Sequence, residues 1–222
     1  MKFTSPVNPY LITQRFGDNA SPTYKAAGFN GHTGEDLGGY YGQSIFAACD
    51  GEVYSIINKD NPDLGKYRCV FTIIQDEQGK YYELSYGHLS NIKVNKGDVI
   101  KTGDYIADMG NTGEVYANGR LVTLEEKKAG SKAGVHLHLQ LRPLKLIEQM
   151  DGYTLYDYAL YNGLECPKRE GKYLAYALPY NNGEAACIDP MPFLADNVLT
   201  TLIPNKTTLK VILDLLTNFW NR

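Results

Sequence analysis

Gly134-Val135-His136-Leu137-His138-Leu139-Gln140-Leu141 alternates branched and apolar residues with polar ones, the pattern of a buried β-strand. Side chains two apart on a strand share a face. His136 and His138 therefore project together, while Val135, Leu137, Leu139 and Leu141 face a core. Two imidazoles on one rigid strand make a starting point for a metal site. Alone, the pair describes a polar sheet face equally well.

The flanking sequence is rich in short strands. Residues 9–14 predict a first strand, and residues 17–31, with their Asn, Pro, Ser and Gly, an exposed loop. Gly31-His32-Thr33-Gly34-Glu35-Asp36-Leu37-Gly38-Gly39 holds four glycines in nine residues, which argues against a helix. A bent loop or the start of a strand therefore brings His32 and Asp36 together. Asp50-Gly51 predicts a hairpin turn before a strand at 52–57. Residues 67–76 and 80–86 predict two strands joined around Gln78-Gly79, with Gly87-His88 at the end of the second. Tight turns at 96–98 and 101–104 lead into a strand at 104–110. Many short strands punctuated by glycine indicate a mainly β, antiparallel sandwich or barrel-like sheet.

Residues 111–134 are polar and predict a long loop, and a loop of that length in a compact domain is usually functional or mobile. After Arg142-Pro143 a Tyr-rich stretch, 150–181, predicts extra strands or a lid, and Ile188 to Leu194 close the core. The tail places Leu209, Ile212, Leu213, Leu216, Phe219 and Trp220 on one helical stripe, with Thr207 or Thr208 as cap. Such a C-terminal helix docks on its own domain, on a partner or on a second copy. The domain is therefore expected over 1–195, with a helical tail at 196–222.

Composition narrows the function. At 43% hydrophobic and 21% charged, the 222-residue chain supports a globular core. A net charge of −3 without a basic block disfavours nucleic-acid binding. Neither an apolar signal region at Met1–Pro9 nor a run long enough to span a bilayer is present in this sequence. The cysteines, Cys49, Cys69, Cys166 and Cys187, form no C-x-x-C pair, so a cysteine zinc knuckle is disfavoured. Cys49 and Cys69 sit in apolar segments as buried thiols; whether Cys166 and Cys187 pair stays open.

All four histidines, His32, His88, His136 and His138, lie at strand ends or beside glycine turns. A catalytic zinc takes three protein ligands and keeps a position for water. His32, Asp36 and one imidazole of the pair supply three, leaving net positive charge and a water pKa of about 7. Two imidazoles, with an unperturbed pKa of about 6.5, remain for proton traffic.

These motifs resemble those of the lysostaphin/LytM-type zinc metallopeptidases, peptidase family M23. The resemblance rests on His32-x-x-x-Asp36, Tyr86-Gly87-His88-Leu89-Ser90 and His136-x-His138. Supporting matches are Gln14-Arg15-Phe16-Gly17, Ala48 to Val53, Val94 to Asp104, Gly110-Asn111-Thr112-Gly113 and Asp189-Pro190. It covers roughly residues 10–142 and 188–195. It implies the lysostaphin-like β fold, one Zn2+ per chain on His32, Asp36 and His138, and catalytic roles for His88 and His136. It further implies hydrolysis of stem or bridge peptides of bacterial peptidoglycan, without a covalent intermediate. His136 is read as general base and His88 as donor to the oxyanion or leaving amine, a division the sequence leaves open.

The chain departs from the family pattern at two long insertions, 111–134 and 143–188. Both adjoin the histidine strand, so both are expected either to rim the groove and shape substrate choice or to be inert decoration or an oligomer contact. A wall substrate and no export signal imply a trimmed chain, a phage-encoded protein released by lysis or carried on a virion, or one module of a larger assembly. An inactive wall-binding or structural member is the competing reading. Such proteins lose a ligand or a catalytic histidine, whereas all five positions are filled here.

Overall fold

The computed structural model describes residues 1–18, 30–149, 167–176 and 186–194. The fold is antiparallel β almost throughout. A nine-stranded sheet contains β1 (Leu11–Gln14), β2 (Glu35–Gly38), β4 (Gly51–Ile57), β5 (Cys69–Gln75), β6 (Tyr81–Gly87), β8 (Val99–Ile100), β12 (His136–Ile147), β13 (Lys168–Arg169) and β14 (Lys172–Tyr176). Its main path runs β1-β2-β12-β6-β5-β4-β8. A three-stranded sheet is formed by β3 (Ser44–Phe46), β9 (Tyr105–Met109) and β7 (Leu89–Ile92), in that order.

One core lies between the two sheets. Leu37, Leu137, Leu139, Leu141, Leu84 and Val70 from the large sheet meet Ile45, Leu89, Ile106 and Met109 from the small one. A second cluster, Tyr54, Cys69, Phe71, Ile73, Leu144, Leu174 and Tyr176, covers the opposite face of the large sheet. Consecutive residues of β5 thus serve different cores: Val70 and Ile74 one, Cys69, Phe71 and Ile73 the other. A strand buried on both faces reads as a near-continuous apolar run, as Cys69-Val70-Phe71-Thr72-Ile73-Ile74 does.

β12 is the longest strand and lies at the centre of the large sheet. One edge pairs with β6; the other pairs first with β2, at His136 to Leu139, and then with β14, at Leu144 to Ile147. It continues through Pro143, which the sequence analysis placed in the second insertion. Pro143 is only half-buried, and the β2 partner has ended by that point. Ile188 bridges Leu141, and Leu194 bridges Phe3, closing the core from the C-terminal side.

Three expectations need correcting. Asp50-Gly51 is not a hairpin turn, because β3 pairs with β9 and β4 with β5, in different sheets. The Asp50 carboxylate instead accepts hydrogen bonds from Thr102 N, at 2.8 Å, and Lys101 Nζ, at 2.9 Å. Residues 111–134 are not a bare loop. They fold into a small hairpin, β10 (Tyr116–Ala117) and β11 (Arg120–Leu121), followed by helix α1 (Leu124–Lys128). Thr123 caps α1 and Glu126 returns the bond, a capping box legible as Thr-x-x-Glu. Buried Lys127 of α1 donates to Gly113 O and ties the segment down.

The third correction concerns the second insertion. Of its described residues, 143–147 extend β12, and 167–176 form β13 and β14 over the second core, where Arg169 reaches Glu52 of β4. β14 joins β12 at Leu144, six residues beyond His138, or about 20 Å along an extended strand. The β13–β14 segment therefore does not rim the histidine groove. The remainder of the Tyr-rich stretch, Cys166 and the C-terminal tail lie outside the described residues. Cys49, Cys69 and Cys187 are buried.

Candidate metal centre

The histidines meet at one end of β12. Register places Asp36 of β2 opposite His138, and Gly87 of β6 on its other side. His32 lies just before β2, and His88 is the single residue between β6 and β7. Strand pairing alone therefore gathers residues more than a hundred positions apart in the chain.

His32 Nε2, Asp36 Oδ1 and His138 Nδ1 form a compact triangle. The separations are 3.1 Å from His32 to Asp36, 3.1 Å from His32 to His138 and 2.8 Å from His138 to Asp36. These three residues form a group able to hold a metal ion. Donors each 2.0–2.1 Å from a tetrahedral zinc stand ~3.3 Å apart, so a slight expansion of the triangle fits the ion. Two imidazole nitrogens and one carboxylate oxygen are also a donor set of the zinc type.

The second nitrogen of each ring is committed elsewhere. His32 Nδ1 is 3.2 Å from Arg15 O, and a carbonyl only accepts, so Nδ1 carries the proton and Nε2 a lone pair. His138 Nε2 lies 3.3 Å from Thr33 Oγ1, leaving Nδ1 to the triangle. His136 and His88 follow the same rule. His136 Nδ1 donates to Gly134 O at 2.9 Å, and His88 Nδ1 to Thr112 O at 2.7 Å. The Nε2 lone pairs of both are thereby freed. His136 Nε2 lies 3.5 Å from Asp36 Oδ2, and the His88 and His136 rings are 4.5 Å apart between centroids.

Close backbone approach is required at Gly34. A Cβ there would stand 2.4 Å from Leu139 O and 2.9 Å from His138 Cε1, so any side chain would displace the ring.

Burial and charge act against each other in this centre. Burial by itself would raise the Asp36 carboxyl. The His136 imidazole and the close approach of the His138 and His32 rings outweigh it and hold Asp36 well below the usual carboxylate range. Burial, reinforced by His136 and His138, holds His88 well below the usual imidazole range. Burial lowers His138 too, against the opposing pull of Asp36. The centre thus keeps Asp36 as an anion beside His88 and His138, whose rings burial holds neutral.

All five residues singled out in the sequence lie together here. The groups that orient them, Arg15 O, Thr33 Oγ1, Gly134 O and Thr112 O, are not evident from the sequence. Three are backbone carbonyls, which no residue type advertises. Thr112 sits in the Gly110-Asn111-Thr112-Gly113 match, where the motif was visible without its role.

The antiparallel two-sheet fold and its clustered imidazoles and carboxylate fit a mononuclear metal centre. The model for "Peptidase family M23" matches residues 30–150, more than half of the sequence, and the chain belongs to that family. No curated protein gives a significant match. Among solved structures, the chain is similar to the catalytic domain of the prophage-encoded M23 protein EnpA from Enterococcus faecalis. Identity is 23% over 64% of this chain and 87% of that one, with a TM-score of 0.42. It is similar to the catalytic domain of the antimicrobial peptidase lysostaphin from Staphylococcus simulans, at 19% identity over 84% and 92% of the two chains and a TM-score of 0.44. It is also similar to a zinc-containing peptidase from Vibrio cholerae, at 26% identity and a TM-score of 0.44, matching 64% of this chain and 37% of that longer one.

Proposed function

We propose that this protein is a zinc-dependent endopeptidase that cleaves stem or bridge peptides of bacterial peptidoglycan at the cell wall. The observation that carries the reading is the meeting of all four histidines and Asp36 at one end of β12, in a chain of the M23 family. His32, Asp36 and His138 hold the ion. Zinc on such a set supplies Lewis acidity and brings the pKa of water down to about 7.

The remaining steps belong to side chains. His136 presents an unprotonated Nε2 beside Asp36 and takes the proton of the attacking water. His88 likewise presents Nε2, since Nδ1 is committed to Thr112 O. It donates to the developing oxyanion or the leaving amine once that nitrogen is protonated. Both rings at rest are acceptors, so the proton that His136 takes from the water is the one available to the amine. It is given back by His136 itself or passed to the adjacent His88 ring, 4.5 Å away between centroids, and donated from there.

Among the described residues no helix is long and apolar enough to cross a membrane. The hairpin β10–β11 and α1 adjoin the centre through Gly110, which bridges His136, and Asn111, whose side chain donates to Ser131 O and Ala133 O. This segment is the candidate wall of the substrate groove.

The test is mass spectrometry of muropeptides released from Gram-positive and Gram-negative sacculi, with and without a chelator. Chelator-sensitive release of peptide fragments, with sugars intact, is expected. Folded, zinc-loaded protein that binds sacculi and releases nothing would be a binding module instead.

A further inference from the structure

His88 turns the chain from one sheet to the other at φ +61°. A residue with a Cβ holds this left-handed conformation only where its surroundings fix it. Part of that fixation is the Thr112 hub. Its carbonyl accepts from His88 Nδ1, its Oγ1 donates to Leu89 O at 2.8 Å, and Arg68 N donates to the same Oγ1 at 3.2 Å. These bonds tether the ring at one nitrogen. A single hydrogen bond does not set the plane of the ring; the rings packed against it do, His136 at 4.5 Å and Tyr67 at 4.9 Å between centroids.

Tyr67 supplies what the tether does not. Its ring stands edge-to-face against His88, with centroids 4.9 Å apart and planes at 75°. Three features hold Tyr67 in turn. Gly87 has no Cβ, and one built there would lie 2.0 Å from the Tyr67 hydroxyl. Gly113 packs where a Cβ would stand 3.0 Å from Tyr67 Cα. Asn58 Nδ2 donates to Tyr67 O at 2.9 Å. With its hydroxyl lying over the backbone of β6, the tyrosine offers His88 the ring.

We propose that Tyr67 is a positioning residue whose ring fixes the plane of the His88 imidazole and so aims Nε2 into the donor cluster. The proposal rests on the reading of His88 as a proton-handling group. Tyr67 acts through His88, and its hydroxyl takes no part in the reaction.

The test compares Tyr67→Ala, Tyr67→Leu and Tyr67→Phe in the zinc-loaded full chain. Tyr67→Ala should lower kcat on the order of 10²-fold, the scale of an ångström-sized misplacement of a reacting group, with KM and zinc content unchanged. Tyr67→Phe, which keeps the ring, should retain kcat. In a His88→Ala background, Tyr67→Ala should add nothing, because residues that act as one unit are not additive. Imidazole 15N NMR gives a readout independent of turnover. Wild type and Tyr67→Phe should show one Nδ1–H tautomer for His88, and Tyr67→Ala a broadened or averaged signal. If the alanine variant does not fold, Tyr67→Leu keeps apolar bulk without a flat ring and serves the same comparison. A raised KM at unchanged kcat, a further loss in the His88→Ala background, or an unaltered His88 signal would overturn the proposal. Wild type without turnover would instead remove the proposed peptidase activity, and the NMR comparison would still decide the role of Tyr67.

Discussion

Asp36 sits among three imidazoles, 2.8 Å from His138 Nδ1, 3.1 Å from His32 Nε2 and 3.5 Å from His136 Nε2. Two of these partners complete the donor triangle and the third does not, and that difference is open to measurement. His32→Ala, Asp36→Ala and His138→Ala should each lose zinc, whereas His136→Ala and His88→Ala should keep about one ion per chain. The last two should lose roughly 10²–10⁴-fold in turnover, the range for a lost acid or base. Metal analysis beside kinetics checks this. A single pattern across all five variants would refute the division of roles.

β12 serves two masters along its length. Leu137, Leu139 and Leu141 fill the inter-sheet core, while His136, His138, Gln140 and Arg142 line the other face. That polar row ends in a buried ion pair, Arg142 with Glu83, directly opposite on β6. The hydroxyls of Tyr54 and Tyr176 also donate to Glu83. Glu83→Ala would remove the carboxylate opposite the guanidinium in a site where Arg142 is 5% exposed. It should cost about 3–5 kcal/mol in a urea-unfolding experiment, the usual penalty for breaking a buried pair from one side. Zinc should still bind the folded variant, since Glu83 lies far down the strand from His138. A loss under 1 kcal/mol would mean that water reaches Arg142 once Glu83 is gone.

For the whole molecule, the buried imidazoles couple stability to pH. In metal-free protein His88 and His138 titrate below their unfolded value of 6.5, because burial disfavours the imidazolium. Between the folded and unfolded values the unfolded chain binds more protons. Stability is therefore complete above 6.5 and falls as pH drops below it. Asp36, depressed from 3.8, adds a loss of the same sign only below that value. Thermal melts of chelator-treated protein should thus show a flat Tm above 6.5 and a decline on acidification. A Tm that rises on acidification would contradict the buried, neutral state of both rings. Zinc-loaded protein should fall more steeply, because protons compete for its ligands.

Much of this architecture was legible in the chain. Alternation at 134–141 located β12 and its two faces, and glycine-flanked histidines located the centre, because strand periodicity and metal-ligand chemistry are local properties of residue types. Thr123-x-x-Glu126 is an equally local signal, the capping box that starts α1 within a stretch whose polarity otherwise resembles loop. Other features were decided only by tertiary structure. Asp50-Gly51 looks like a hairpin locally, yet its flanking strands find partners in different sheets. The seat of Tyr67 over Gly87 depends on β5, β6 and the 110–113 turn meeting in space. The backbone carbonyls that set the tautomers of His32, His88 and His136 have no signature at all in a sequence. The residues fixed which chemistry is available; the pairing of β2, β12 and β6 decided which atoms face one another, because long-range register depends on how both faces of a sheet are buried at once.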